Sequence, residues 1–97
     1  MGAHDAAGLD AVLHALANPV RRYLLDLLRH DGATATELGA SAAAAFGISP
    51  ARASQHLQVL ARASLVEVQT DATWRHYRFR SGSCDVVSDW LERLGSP

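Results

Sequence analysis

Arg52 and Gln55 are the residues whose types and spacing point most directly to chemistry in this 97-residue chain. An arginine guanidinium donates two hydrogen bonds to O6 and N7 of guanine, and a glutamine amide reads adenine in the same bidentate way. Small or polar residues surround them, namely Ser49, Pro50, Ala51, Ser54, His56 and Gln58. This composition is typical of a helix that enters the major groove of DNA by its N-terminal half. Arg52 and Gln55 are the better base readers, whereas Ser49, Ser54 and His56 fit phosphate contacts or helix caps.

The segment that carries these residues has the signals of a helix after a tight turn. Gly47 stops the preceding helix, Ser49 is a good N-cap, and Pro50 suits the first turn. The inward face holds Ala53, Leu57, Leu60 and Ala61, and the helix is expected to end near Arg62 or Ala63. Two helices joined by so short a turn predict a helix-turn-helix.

Three helices are predicted before this one, preceded by a flexible arm over residues 1–8. The first follows an apolar stripe from Leu9, the second begins at Asn18-Pro19, and the third begins at a capping box, Thr34 with Glu37. Gly32 is expected to supply a left-handed cap at the end of the second helix. Arg21 and Arg22 place positive charge at the start of the second helix, where it opposes the helix dipole. Contact with a phosphate, or pairing with Asp26 or an acid of the last helix, would explain two arginines there.

The period of the pattern changes after residue 64. Residues 65–70 and 74–80 alternate as strands across a turn at residues 71–73, which predicts a β-hairpin. A last helix carries Val86, Val87, Trp90, Leu91 and Leu94 on one face. The predicted fold is mainly α with a β-hairpin wing, in the order α-α-α-α-β-β-α, a winged helix-turn-helix over residues 9–97. Arg75 near the wing tip and Arg78 on the same strand are further candidates for DNA contact.

The charge of the chain is unevenly distributed. The net charge is −1, from 9 basic and 10 acidic residues, and all 9 bases are arginine. Residues 48–80 hold five arginines against Glu67 and Asp71, so the segment expected to face DNA is the positive one. A near-neutral total therefore does not exclude DNA.

Several classes of protein are disfavoured. No apolar stretch is long enough to span a membrane, and the N-terminus lacks the pattern of a signal peptide. Cys84, the single cysteine, cannot form an intrachain disulfide, which suits a cytoplasmic protein and an inert thiol. No arrangement of a nucleophile with a base, no phosphate-binding glycine loop and no paired carboxylates point to an enzyme.

The chain resembles the ArsR/SmtB family of bacterial transcriptional repressors over roughly residues 9–94. The matching segments are Leu16-Ala17-Asn18-Pro19-Val20-Arg21-Arg22 to Leu27-Leu28, Thr34-Ala35-Thr36-Glu37-Leu38, Ile48-Ser49, Ser54-Gln55-His56-Leu57-Gln58-Val59-Leu60, Leu65-Val66 and Trp74-Arg75-His76-Tyr77-Arg78-Phe79. The resemblance implies a symmetric dimer, paired through the first and last helices, that binds an inverted repeat near a promoter. Ser64 departs from it, because the family generally has Gly there, and about four extra residues lie between Leu38 and Gly47.

The metal-binding signatures of that family are missing, so a metal ion bound at the usual family sites is not the expected regulatory signal. If Met1 is removed, the sequence Gly2-Ala3-His4 offers an amine, two amides and an imidazole, a square-planar set suited to weak binding of Ni(II) or Cu(II). Otherwise a separate sensor protein is the expected regulatory partner. The alternative function is a winged-helix module that binds a protein and not DNA.

Overall fold

The structure, a computed structural model, describes residues 3–96, with side chains from residue 8 onward. Within these residues the elements are α1 (Ala3–Leu16), α2 (Pro19–Leu27), β1 (Ala33–Thr34), α3 (Ala35–Phe46), α4 (Pro50–Arg62), β2 (Val66–Asp71), β3 (Trp74–Phe79) and α5 (Asp85–Gly95). The strands form one antiparallel sheet in the order β1-β3-β2. The predicted winged helix-turn-helix is confirmed, and the short strand β1 is an addition to it.

Three helices begin where side chains satisfy the free N–H groups of their first turns. Asn18 Oδ1 accepts from the N–H of Val20 at 2.8 Å, and Pro19 follows it. Thr34 and Glu37 form the predicted reciprocal capping box, with Thr34 Oγ1 accepting from the N–H of Glu37 at 3.1 Å. Ser49 Oγ accepts from the N–H of Arg52 at 3.1 Å. Each cap stabilises its helix by about 1 kcal/mol and fixes where it starts.

Two predictions near the N-terminal helices were wrong. The arm expected over residues 1–8 is helical from Ala3 onward, because a stretch rich in alanine favours helix even without an apolar stripe. Gly32 does not cap α2, whose C-cap is Leu28 at φ −96°. A Cβ at Gly32 would lie 3.0 Å from the carbonyl oxygen of Tyr77, so this glycine allows β1 to approach β3.

The core lies where α1–α4 meet the base of the sheet. Its members are Val12, Ala15, Val20, Leu24, Leu28, Leu38, Ala42, Ala53, Leu57, Leu60, Leu65, Val66 and Tyr77. Burial of each leucine side chain stabilises the fold by about 1.5–3 kcal/mol. Ala53, Leu57 and Leu60 are the buried residues of α4, as predicted, so this helix is anchored along one side.

The hairpin leaves the core soon after its base. Val66 pairs with Phe79 and Val68 with Tyr77, and only Val66 and Tyr77 of β2 and β3 are buried. The turn is one residue shorter than predicted, because Asp71 already pairs with Trp74. The outer half of the hairpin therefore projects into solvent as a wing.

Helix α5 packs on α1 and covers the core only partly. Val86 and Val87 pack against the core, but the exposed fractions of Leu91 and Leu94 are 54% and 65%. Leu13 of α1 is also exposed. No helix in the described part of the chain is long and apolar enough to cross a membrane.

Candidate nucleic-acid interface

The connection between α3 and α4 sets the angle at which α4 leaves the core. Gly47 takes a left-handed conformation at φ 66°, and its N–H donates to the carbonyl of Ala43 at 2.8 Å. A Cβ at Gly47 would meet nothing within 4 Å, so the glycine is needed for its backbone conformation and not for space. Ile48 is half-buried and Ser49 starts the next helix. The unit Ala35–Arg62 is thus a helix-turn-helix with α4 as its second helix.

The predicted base readers share the solvent side of α4. The exposed residues of this helix include Pro50, Ala51, Arg52, Ser54, Gln55 and Gln58. Arg52 forms no side-chain hydrogen bond or ion pair with any described residue, and neither does Gln55, so both side chains are available to a ligand. Ser49 acts as the helix cap, one of its two predicted roles, while its hydroxyl hydrogen remains able to donate.

His56 differs from the other candidates because it is half-buried. Its Nδ1 lies 3.2 Å from Nη1 of Arg21. Burial lowers the pKa of His56, and the positive charges of Arg21 and Arg52 lower it further. The imidazole is therefore held in its neutral form, which makes His56 a hydrogen-bonding group and not a cationic phosphate contact.

Arg21 is the site residue whose role the sequence did not reveal. Its side chain is only 8% exposed, and it donates from Nε to the carbonyl of Ala15 at 2.7 Å and from Nη2 to that of His14 at 2.9 Å. Arg22 likewise donates to the carbonyl of Leu16 at 2.8 Å. The expected pairing with Asp26 or an acid of the last helix was wrong, because both arginines bind carbonyls at the C-terminal end of α1. A cation is favoured at that end of a helix, which is the signal that sequence reasoning could have used.

The two wing arginines lie on opposite faces of the sheet. Arg75 shares a face with Tyr77, the face that is buried against the helices nearer the base. Arg78 lies on the other face, directly across from Glu67. Glu67 also forms an ion pair with Arg80 at 3.8 Å, in which both side chains are 53% exposed, so this pair contributes little to stability.

The described residues form no metal-binding group near this surface. Among the described residues, no group of three or more His, Cys, Asp and Glu side chains is arranged to hold a metal ion. The predicted N-terminal site stays a prediction, because Gly2 and the side chains of Ala3 and His4 lie outside the described residues. Cys84 is half-buried. It directly precedes α5 and is distant from α4 in the sequence.

A helix anchored by its apolar side, polar on the other, and followed by a projecting hairpin defines a winged helix-turn-helix DNA-binding domain. The sequence profile of a family described as a helix-turn-helix domain matches residues 16–69. A crystal structure described as a possible transcriptional regulator for arsenical resistance is 32% identical, with a TM-score of 0.71 over 88% of this chain and 84% of that one. This chain belongs to the ArsR family of winged helix-turn-helix transcriptional regulators.

Two other solved structures support the same fold. An ArsR family transcriptional regulator, at 23% identity, superposes with a TM-score of 0.82 over 93% of this chain and 89% of that one. The homodimeric winged helix-turn-helix DNA-binding domain of a possible ArsR-family regulator from Mycobacterium bovis, solved by NMR, is 29% identical. Its TM-score is 0.66, over 97% of this chain and 85% of that one. A search of curated protein sequences found no match.

Proposed function

We propose that this chain is a homodimeric transcriptional repressor that binds an inverted-repeat operator in the cytoplasm through α4 and the wing. The observation that carries the proposal is the division of α4 into a buried side and an exposed polar side. Ala53, Leu57 and Leu60 hold the helix in the core, while Arg52 and Gln55 are exposed and have no hydrogen-bond or ion-pair partner among the described residues. The helix can therefore enter a major groove without disturbing its own anchor.

Sequence preference is assigned to the first two turns of α4. Arg52 reads guanine and Gln55 reads adenine, because their donors and acceptors match those base edges. The other contacts of the proposal are Ser49, Pro50, Ala51, Ser54, His56 and Gln58 on or before α4, with Arg75 and Arg78 on the wing. These position the protein on phosphates and sugars and carry less sequence information.

The dimer is proposed to form through α1 and α5. Leu13, Leu91 and Leu94 are large apolar side chains that the chain leaves exposed, and α1 packs directly on α5. The Mycobacterium bovis relative is homodimeric. A two-fold dimer of this chain presents α4 twice, and the two copies read half-sites about 34–36 Å apart when they meet successive turns of one DNA face.

Regulation of this chain is proposed not to use the metal site that is usual for the family. One route is metal binding at Gly2, Ala3 and His4, and the other is a separate sensor protein that alters operator affinity. Isothermal titration of Ni(II) and Cu(II) into the chain with a free or an acetylated N-terminus separates them. Binding that acetylation abolishes supports the metal route, and no binding supports the partner.

Titration of a promoter fragment, with increasing salt, tests DNA binding. We expect specific binding that weakens with salt, and a loss of sequence preference in Arg52→Ala and Gln55→Ala. Arg62→Ala is the matched control, since it removes an exposed arginine from the last turn of the same helix. Absence of specific binding at low salt contradicts the proposal and favours a protein-binding module.

A further inference from the structure

Arg21 joins three helices through one side chain. It stands in the first turn of α2, and its Nε and Nη2 donate to two carbonyls in the C-terminal part of α1, those of Ala15 and His14. Its Nη1 lies 3.2 Å from Nδ1 of His56, in the middle of α4. A guanidinium that is only 8% exposed therefore links α1, α2 and α4.

The contact with Arg21 decides which nitrogen of His56 carries the proton. A guanidinium has only donors, so Nδ1 must accept and the proton of the neutral ring resides on Nε2. Nε2 has no hydrogen-bond partner among the described residues. It is not completely buried, since Ser83 Oγ is the one completely buried side-chain polar atom without a partner in that part of the chain. His56 thus holds an unused N–H donor at a half-buried position on α4.

The surroundings of this donor favour an anion. Arg52 lies one turn before His56 on α4, and both Arg52 and Arg21 place positive charge near the imidazole. From α1 the groups that face the junction are the carbonyls of His14 and Ala15, and both are occupied by Arg21. An approaching phosphate meets an N–H donor flanked by two cations, and no carboxylate among the described side chains is in hydrogen-bond contact with the ring.

We propose that Arg21 is a positioning residue for DNA binding, which holds the ring of His56 so that its Nε2–H donates to a backbone phosphate. The inference rests on the proposed function. Arg21 does not contact DNA in this arrangement, because its side chain is 8% exposed and three of its five N–H groups face protein acceptors. Its effect reaches the DNA through His56.

Substitutions at positions 56 and 21 remove the two parts of this arrangement separately. His56→Asn keeps an acceptor near the position of Nδ1 but loses the donor at Nε2. Arg21→Lys keeps the positive charge but loses the planar set of N–H donors of the guanidinium. We expect each to weaken specific DNA binding by about 3–10-fold, the effect of one hydrogen bond. The double variant is expected to bind no more weakly than His56→Asn alone, because both changes remove the same contact. Arg22→Lys is the control, since Arg22 bonds α1 but not α4.

Nitrogen-15 NMR of the histidine ring gives a readout that lost stability would not produce. In the wild type we expect the proton on Nε2 and an unprotonated Nδ1 that accepts a hydrogen bond. In Arg21→Lys we expect the Nδ1 resonance to move toward that of an imidazole whose Nδ1 accepts no hydrogen bond. If Arg21→Lys does not fold, His56→Asn is compared with His56→Gln, which keeps a donor near Nε2 and is expected to bind more tightly. Additive losses or an unmoved resonance overturn this inference alone. A folded wild type that binds no DNA overturns the proposed function as well.

Discussion

The N–H of Leu65 donates to the carbonyl of Leu60 at 3.1 Å, across the end of α4. The N–H of Ser64 donates to the carbonyl of Ala61 at 3.0 Å, and together the two bonds form a Schellman motif. Both leucine side chains are fully buried in the same hydrophobic core, where this motif usually places them. These two bonds fix the end of α4 relative to the residues that lead into the wing.

Ser64 stands at the position of this motif that favours glycine. Its φ is 59°, which a residue with a Cβ adopts at a cost of about 1–2 kcal/mol. We expect Ser64→Gly to raise the free energy of unfolding by about 0.5–1 kcal/mol, because glycine removes that strain but adds entropy to the unfolded chain. Urea unfolding at a fixed protein concentration measures it.

The same substitution in an ordinary helical position has the opposite sign. Ser88 is exposed in α5, where Ser88→Gly is expected to lower the free energy of unfolding by about 0.5 kcal/mol. Equal effects at positions 64 and 88 would show that the backbone conformation of Ser64 carries no strain.

The burial of His56, together with the nearby charges of Arg21 and Arg52, predicts a pH dependence of stability. The pKa of His56 is lowered below its ordinary value of 6.5, so the unfolded chain binds more protons than the folded one. The contribution of the neutral His56 ring to the free energy of unfolding is fully present above about pH 6.5 and is lost as the pH falls through the lowered pKa. Unfolding measured from pH 8 to 5.5 is expected to show this loss in the wild type and a flatter profile in His56→Gln. Parallel profiles would assign the loss to other groups.

Much of the fold could be predicted because local signals agreed with the tertiary structure. The caps at Asn18, Thr34 and Ser49 fixed three helix starts, and alternation fixed the hairpin. Strand β1 was missed, since two residues carry no period and pair only because Gly32 lets them approach β3.

The candidate site was less predictable where it depends on contacts distant in sequence. The exposed face of α4 follows from helical periodicity, which placed Arg52 and Gln55 correctly in solvent. The contact between Arg21 and His56 joins residues 35 positions apart, and no local pattern indicates it. In the sequence, Ser64 stood out only because the family generally has Gly at this position. Its positive φ gives the physical reason why glycine is favoured there.

The exposed leucines of α5 predict the oligomeric state. We expect Leu91→Glu combined with Leu94→Glu to convert the dimer to a monomer, because the proposed interface would have to bury two carboxylates. Light scattering after size exclusion gives the mass. Leu27→Glu is the control, as Leu27 is an exposed leucine of α2 outside α1 and α5. A monomeric wild type, or a monomer produced equally by Leu27→Glu, contradicts the proposed interface.

The wing arginines predict unequal effects on DNA binding. Arg75 projects near the tip, across from Thr70, on the sheet face that packs against the helices at its base, whereas Arg78 lies on the opposite face across from Glu67. We expect Arg75→Ala to weaken binding several-fold and to reduce the slope of log K against log salt by about one phosphate contact. Arg78→Ala is expected to change both less, because the acidic Glu67 opposite it offsets its attraction for phosphate. Binding measured at several salt concentrations compares the two variants, and a larger effect of Arg78→Ala would mean that the outer face of the hairpin meets the DNA.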